Sequence, residues 1–222
     1  MKVQTLFRIL LIIIVLFLSV LAFRSIMRPE KFQSVYTERE TEIKNRLITL
    51  RTAQLVYKME HKSYAKNIDD LVEFVNNGTL TIVKMEGTIP ENVSEKDALA
   101  KGLIRKVEEK IPAKVKILEL DKNIKPAFLK NFQFIPDNDV KKFKIQTAKL
   151  SNDYEVYKID VSIDEIFANM HRAVTPPKSN FLKKGLNYIL YNKLEKEEQY
   201  RKLYKPMWLG SLTDAVTTGS WE

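Results

Sequence analysis

Apolar residues change their spacing along this chain, and each change marks an element. Ile9 to Phe23 (ILLIIIVLFLSVLAF) is a run of fifteen uncharged residues between Arg8 and Arg24. A spanning helix needs about 20 predominantly apolar residues. Leu6, Phe7, Ile26 and Met27 extend the run, and Arg8 and Arg24 can carry their guanidinium groups out to a lipid interface. Two readings fit this segment. We favour a retained signal anchor. The other is a cleaved signal peptide, with Lys2 and Arg8 as its charged start and Val20-Leu21-Ala22 as the cleavage triplet. The bulky Phe23 and Arg24 directly after that triplet argue for retention.

Past the anchor the spacing becomes helical. Pro29 can open a helix, because its missing N–H would be an orphan there anyway. From Phe32 to His61 there is no further Pro and no Gly. Tyr36, Ile43, Leu50 and Tyr57 share one heptad position, while Glu40, Leu47, Gln54 and His61 share the other. Only Leu47 of the second set is apolar, so the pattern predicts an amphipathic helix and not a coiled coil. The charged stretch TERETEIKNR reads as a solvated stalk. Ile48, Leu55, Val56 and Met59 widen the apolar face towards the end that docks on a domain.

Ile68 to Asn76 predicts a short helix, with Asn67 as its cap and Asn76-Asn77-Gly78 as its stop. Thr79 to Met85 predicts a strand. Ser94 and Asp97 are spaced as a capping box for a helix to Ala100, ended by Gly102. LIRKVEE, AKVKILEL, NFQFI, KFKIQTAKL and YEVYKIDVSI alternate with a period near two, and turn residues separate them. That layout predicts an antiparallel meander. A short helix from Ile163 to Arg172, a break at Pro176-Pro177, a long helix from Phe181 to Tyr204, a final strand near Met207 to Leu212 and a short tail VTTGSWE complete the chain.

Charge alters the picture little. The net charge of +9 would suit a nucleic-acid partner. However, Lys2, Arg8, Arg24 and Arg28 lie in residues 1–28, which hold no acid, and there they flank the apolar run. The other 33 bases are interleaved with all 28 acids, as in KLEKEEQYRK (193–202). We therefore expect no nucleic acid among the partners. The absence of cysteine excludes disulfides, thiolate metal sites and a cysteine nucleophile.

Ala53, Tyr57, Tyr64 and Leu71 stand at spacings of four, seven and seven. With the apolar helix upstream, this resembles type IV pilins and the pseudopilins of type II secretion. The resemblance implies one helix laid across a small antiparallel sheet, the first aromatic packing into the core and the second pinning the loop. The chain departs from that pattern at Lys62, where Gly is usual, and at Ala65, where Pro is usual. It also has no short basic leader ending in Gly and no Glu in the apolar run, so a polymerised pilin is not expected. The ordering of anchor, LRTAQLVYK (50–58), β-rich middle and terminal GSWE (219–222) also resembles single-pass envelope proteins of Bacteroidota. That likeness implies no activity.

No catalytic constellation emerges. His61 and His171 have no ligand at metal-binding spacing. Asp69-Asp70 and Asp137-Asn138-Asp139 read as helix-start and turn residues. Ser151, Ser162 and Ser179 lack a nucleophile setting, and the six glycines form no phosphate loop. Tyr188, Tyr191, Tyr200 and Tyr204 sit at helical spacing, which makes them core or interface residues before a stacking surface. We expect no enzyme, cofactor or metal.

The expected fold is α+β. An N-terminal transmembrane helix continues into a long amphipathic helix packed on a small antiparallel sheet, with a further helix near the C-terminus. The expected division is an anchor at 1–28, a stalk helix at 29–62 and a domain at 63–222 outside the cytoplasm. Leu47, Leu50, Tyr57 and Tyr64 are the expected docking residues. The expected partners are inner-membrane lipid, and other envelope proteins or self-association. The alternative is a tethered module that binds peptidoglycan or another anionic glycan, motivated by the residual positive charge.

Overall fold

One helix, α1 (Val3–His61), forms the N-terminal quarter of the molecule in the computed structural model. The structure describes residues 3–89, 91, 94–136, 138–168, 170, 181, 184–185, 202 and 204–222, with only the backbone for 21, 23–29, 31, 138 and 139. The fold is α+β, with an apolar N-terminal helix and small antiparallel sheets. The chain divides into two compact units. One is Met1–Glu42 with Ile163–Lys205; the other is Ile43–Ser162 with Pro206–Glu222.

Pro29 does not open a helix; α1 runs straight through it. A proline inside a helix removes one i→i−4 hydrogen bond and crowds the carbonyl four residues back.

In the first unit the expected solvated stalk holds in part: Thr37, Glu38, Thr41 and Glu42 are exposed. Phe32, Tyr36 and Arg39 are buried, although Arg39 lies in the charged run TERETEIKNR. Spacings of four and three residues put these side chains on one helix face. They meet α5 (Ile163–Phe167), whose Ile166 and Phe167 are buried; Met170 is helical as well, and the other residues of the expected helix beyond Ala168 lie outside the described residues. The predicted helix from Phe181 to Tyr204 lies outside the described residues, apart from Phe181, Lys184, Gly185, Lys202 and Tyr204.

The second unit begins at Ile43. The C-terminal half of α1 buries Ile43, Leu47, Leu50, Ala53 and Val56. Leu55 and Met59 do not widen this face as expected; they are 45% and 38% exposed. Thr49, Thr52 and Gln54 take buried positions instead.

A second helix, α2 (Ile68–Asn77), buries Ile68, Leu71, Phe74 and Val75. Asn67 has extended backbone but does not cap α2; its amide donates to Asp70 at 3.2 Å. Gly78 ends α2 in extended conformation, not left-handed, and donates its N–H to Phe74 O at 2.7 Å. A Cβ there would sit 2.4 Å from the Phe74 ring, so close approach is what requires glycine.

Strands β1 (Thr79–Gly87) and β2 (Ile104–Pro112) pair antiparallel as a two-stranded ribbon. Between them lies α3 (Glu95–Ala100), capped as expected by Ser94, whose Oγ accepts from Asp97 N. AKVKILEL, predicted as a strand, is the helix α4 (Ala113–Leu120). Ala113 and Ile117, four apart, are fully buried, while Val115 is exposed. The alternation misled because the lysines that create it are compatible with either period.

NFQFI contributes only the two residues of β3 (Phe134–Ile135), paired with β4 (Asn138–Lys142). KFKIQTAKL breaks at buried Phe143, and its remainder is β5 (Lys144–Lys149). With β6 (Glu155–Val161) and β7 (Met207–Gly210) it forms an antiparallel sheet in the order β5-β6-β7. Among the described residues the expected single sheet is three small ones; α4 and the turn after it separate β2 from β3, and Phe143 separates β4 from β5.

Gly210 holds a left-handed φ of +76°, and a Cβ there would fall 2.2 Å from Tyr157 O. The terminal VTTGSWE is not a loose tail. It returns along β7, with Gly210 N donating to Thr218 O and Ser220 N to Trp208 O, both at 2.9 Å.

Candidate anchor and docking sites

From Ile9 to Leu18 the N-terminal part of α1 is apolar on every side. Val3–Val20 is long and apolar enough to cross a membrane, and nothing in the described structure covers it. Every Leu, Ile, Val and Phe from Val3 to Val20 is exposed. Ser19, the polar exception near its end, satisfies its hydroxyl internally by donating to Val15 O at 2.8 Å. A helix already satisfies its own backbone polar groups, so such a surface tolerates a lipid environment.

In the first unit an aromatic cluster closes on the helix. Phe32 meets Phe167 edge-on at 5.6 Å, and Tyr36 meets Phe167 at 5.9 Å and Tyr204 at 4.1 Å. The Tyr204 hydroxyl donates to Gln33 Oε1 at 2.6 Å. Burial, then the Glu40 carboxylate, then Tyr204 push the Tyr36 phenol up to about 12. Arg39 donates from Nη1 to Ile166 O at 2.8 Å and Ala168 O at 2.6 Å. It thereby supplies a donor to carbonyls at the end of α5. Of the four C-terminal tyrosines noted in the sequence, Tyr204 falls in this cluster; Tyr188, Tyr191 and Tyr200 lie outside the described residues.

In the second unit, two of the expected docking residues, Leu47 and Leu50, are fully buried. Tyr64 is buried and packs on Tyr157 at 4.6 Å between ring centres. Tyr57 does less than expected. It is half-buried, against Phe74 at 5.1 Å and His61 at 4.2 Å. Lys58 lies over the rings of Tyr64 and Tyr154, 4.1 and 4.5 Å from their centres. The Tyr64 backbone N–H donates to Glu155 Oε2 at 2.8 Å.

Gln54 makes the most specific contact. Its amide donates to Ala65 O at 3.0 Å, and its Oε1 accepts from Ala65 N at 2.9 Å. Both residues are buried, so one side chain satisfies both backbone groups of the turn after α1. A proline at 65 would have no N–H to give. Lys62 adopts a left-handed φ of 61°, the conformation for which glycine is the usual choice. The two departures from the pilin pattern thus fall where this turn is built.

No protein-family model, curated protein or solved structure matches the chain.

Within the second unit, further polar links tie the C-terminal part of α1 to the residues around it. Arg46 donates to Asn131 O and Phe134 O, and Arg51 to Glu222 Oε1 at 2.6 Å. The hydrogen bond from Arg51 holds the Glu222 carboxyl below its ordinary range. Glu60 accepts from Thr81 N at 2.9 Å.

Sequence reasoning missed Phe32, Arg39, Arg46 and Gln54. Phe32 and Tyr36 are an i,i+4 aromatic pair, and that signal was readable. The three polar residues carry no such signal, since their partners are carbonyls and amides distant in sequence.

Among the described residues no three His, Asp or Glu side chains gather as a metal site. His61 is exposed beside Tyr57 and Phe74, and His171 lies outside the described residues. Asp69 forms an ion pair with Lys142. Asp70 accepts from Asn67, Asp137 lies outside the described residues, and Asn138 and Asp139 belong to β4. Ser151 is in an exposed turn, Ser162 follows β6, and Ser179 lies outside the described residues.

Proposed function

We propose that this chain is a non-enzymatic, single-pass protein of the bacterial envelope. In this reading its apolar segment is retained in the inner membrane. Its folded part lies outside the cytoplasm and serves as a structural or interaction component of a membrane-associated assembly, in the manner of a pilin-like domain. One observation carries the reading. The exposed apolar segment Val3–Val20 belongs to the same unbroken helix whose far end is built into a folded unit. A cleaved leader has no need of that continuity, whereas an anchored subunit gains a direct connection between bilayer and domain.

The test combines fractionation with cross-linking of the full-length chain. A retained anchor stays in the membrane pellet after an alkaline carbonate wash, with its N-terminal residues intact by mass spectrometry. A photoreactive residue at exposed Leu55 or Met59 should then give a discrete protein adduct. Ile43, which shares a heptad position with Tyr36 and Leu50, is fully buried and would report only on its own core. A soluble chain lacking residues 1–22 would sink the anchored reading. Salt-sensitive sedimentation with cell-wall sacculi, without any protein adduct, would move the function to a glycan-binding module.

A further inference from the structure

The β1–β2 ribbon stands out from the rest of the second unit by its exposure. Its nine-residue strands bury only Leu80 and Ile104. Two-stranded ribbons are marginal in water unless something else covers them. The two outer edges differ. On β1, the Thr81 N–H points away from β2 and is taken by Glu60 of α1 at 2.9 Å. On β2, no third strand is paired among the described residues.

The hydrogen-bonding parity follows. Thr81 faces outward, so its neighbours Leu80, Ile82, Lys84 and Glu86 bond inward to Ile111, Glu109, Val107 and Arg105. The bond from Ala113 N to Gly78 O at 3.0 Å continues the same parity. The backbone groups of Lys106, Glu108 and Lys110 therefore face out along the edge of β2.

Charges on an edge strand ordinarily prevent edge-to-edge pairing. Here the order of signs does the opposite for one partner. β2 reads Arg105-Lys106-Val107-Glu108-Glu109. Placed antiparallel to a second copy about Val107, Arg105 faces Glu109, Lys106 faces Glu108 and Val107 faces itself. A shift of two residues either way opposes like charges: Glu108 to Glu108 and Lys106 to Lys110 in one direction, Lys106 to Lys106 in the other. Among the registers within two residues of this one, only this one opposes unlike charges throughout, which favours a defined pairing.

We infer that the outer edge of β2 pairs antiparallel with β2 of a second copy of this chain. A two-fold axis at Val107 then gives a continuous sheet in the order β1-β2-β2-β1. Lys106 and Glu108 of the two copies exchange backbone hydrogen bonds in this arrangement. On one sheet face the ion pair from Glu86 to Arg105, 2.8 Å within one chain, continues to Glu109 of the other copy, beside the ion pair of Lys84 and Glu109. The interface is isologous, as expected of a symmetric dimer. It deepens the assembly reading by naming the partner, and it does not require the anchor to span a membrane.

The chain has no cysteine, which makes the test clean. Val107→Cys places one thiol per chain at the axis, in a non-hydrogen-bonded pair whose Cβ atoms lie about 4.5–5.5 Å apart. Mild oxidation of the full-length protein, in whichever cell fraction it occupies, should yield a covalent homodimer. Leu55→Cys, exposed on α1, should not. Adding Lys106→Glu to Val107→Cys turns two attractive pairs per dimer into repulsive ones, and dimer yield should fall roughly tenfold. Adding Glu108→Lys to that variant restores opposite charges and should restore the yield, which a misfolded variant could not do. Three outcomes overturn the inference: no dimer from Val107→Cys, a yield indifferent to the charge swap, or a covalent adduct to a different protein. Because the read-out ignores cell fraction, its failure is distinct from a failure of anchoring.

Discussion

The two ends of α1 are both rich in Leu, Ile and Val, yet their surroundings are opposite. From Val3 to Val20 every large apolar side chain is exposed. From Ile43 to Val56 the apolar residues at 43, 47, 50 and 56 are buried, and the polar Thr49, Thr52 and Gln54 are buried with them. How apolar a segment is therefore does not decide its environment. From Ile9 to Leu18 the first end is apolar all the way round and has no single face to turn inward. The second has a dry side and a wet side, and its buried polar groups have assigned partners.

The largest effect should come from emptying the dry side. Leu50→Ala deletes a fully buried side chain, and such truncations cost about 2–5 kcal/mol. Leu11→Ala removes the same atoms from an exposed site and should leave domain stability within about 0.5 kcal/mol. Denaturant unfolding of the full-length protein in detergent, read by tryptophan fluorescence, measures both. Equal losses would erase the distinction between the two ends.

Next comes the polar contact inside that dry side. Gln54→Ala strands the N–H and the carbonyl of Ala65 in a buried turn, and each unsatisfied group costs about 1–3 kcal/mol before relaxation. Water entering the gap would reduce this, so a total near 2 kcal/mol is expected. Faster amide exchange at Ala65 should accompany it, which a general loss of packing would not produce selectively.

This contrast shows what was legible in the sequence. The apolar run was readable because an uninterrupted stretch needs no knowledge of its surroundings. Ser94 and Gly102 were readable because a cap and a left-handed stop act within a few residues. Arg39 and Gln54 were not: a charged or amide side chain in a helix is solvated by default, and burial becomes favourable only once Ile166, Ala168 and Ala65 supply partners. AKVKILEL failed for a related reason. Lysines alternate with apolar residues there, but tertiary burial of Ala113 and Ile117 sets the period. The docking residues were mostly legible, since Leu47, Leu50 and Tyr64 are large and apolar at helix or turn positions; half-buried Tyr57 was overestimated.

A smaller effect sharpens the boundary where the buried end of α1 stops. Lys62 occupies a left-handed conformation at φ 61°. Glycine reaches that region without the Cβ clash, so Lys62→Gly should stabilise the second unit by up to about 1 kcal/mol. The gain is partly offset by glycine's greater freedom in the unfolded chain and by loss of the bond from Lys62 Nζ to Met59 O. Thermal unfolding would show it as a modest rise in Tm. A fall would mean that the lysine side chain contributes more than its backbone conformation costs.

The smallest effect concerns the other tether on this end of the helix, the link from Arg51 to Glu222. Both side chains are about one-third exposed, so solvent screens the pair and its contribution to global stability is slight. Its pH dependence still has a definite sign. The Glu222 carboxyl sits below its ordinary range because Arg51 hydrogen-bonds the ionised form. A group whose folded pKa is depressed contributes stability above its unfolded pKa, and that contribution disappears as pH falls through the folded value. Acidification should therefore release the C-terminal residues before the unit unfolds. Trp221 is adjacent in sequence and lies near Lys44, so its fluorescence should change in that acid window. Arg51→Gln should move the change to higher pH, towards the normal glutamate range. An unshifted transition would show that the tail is held by its backbone bonds to β7 alone.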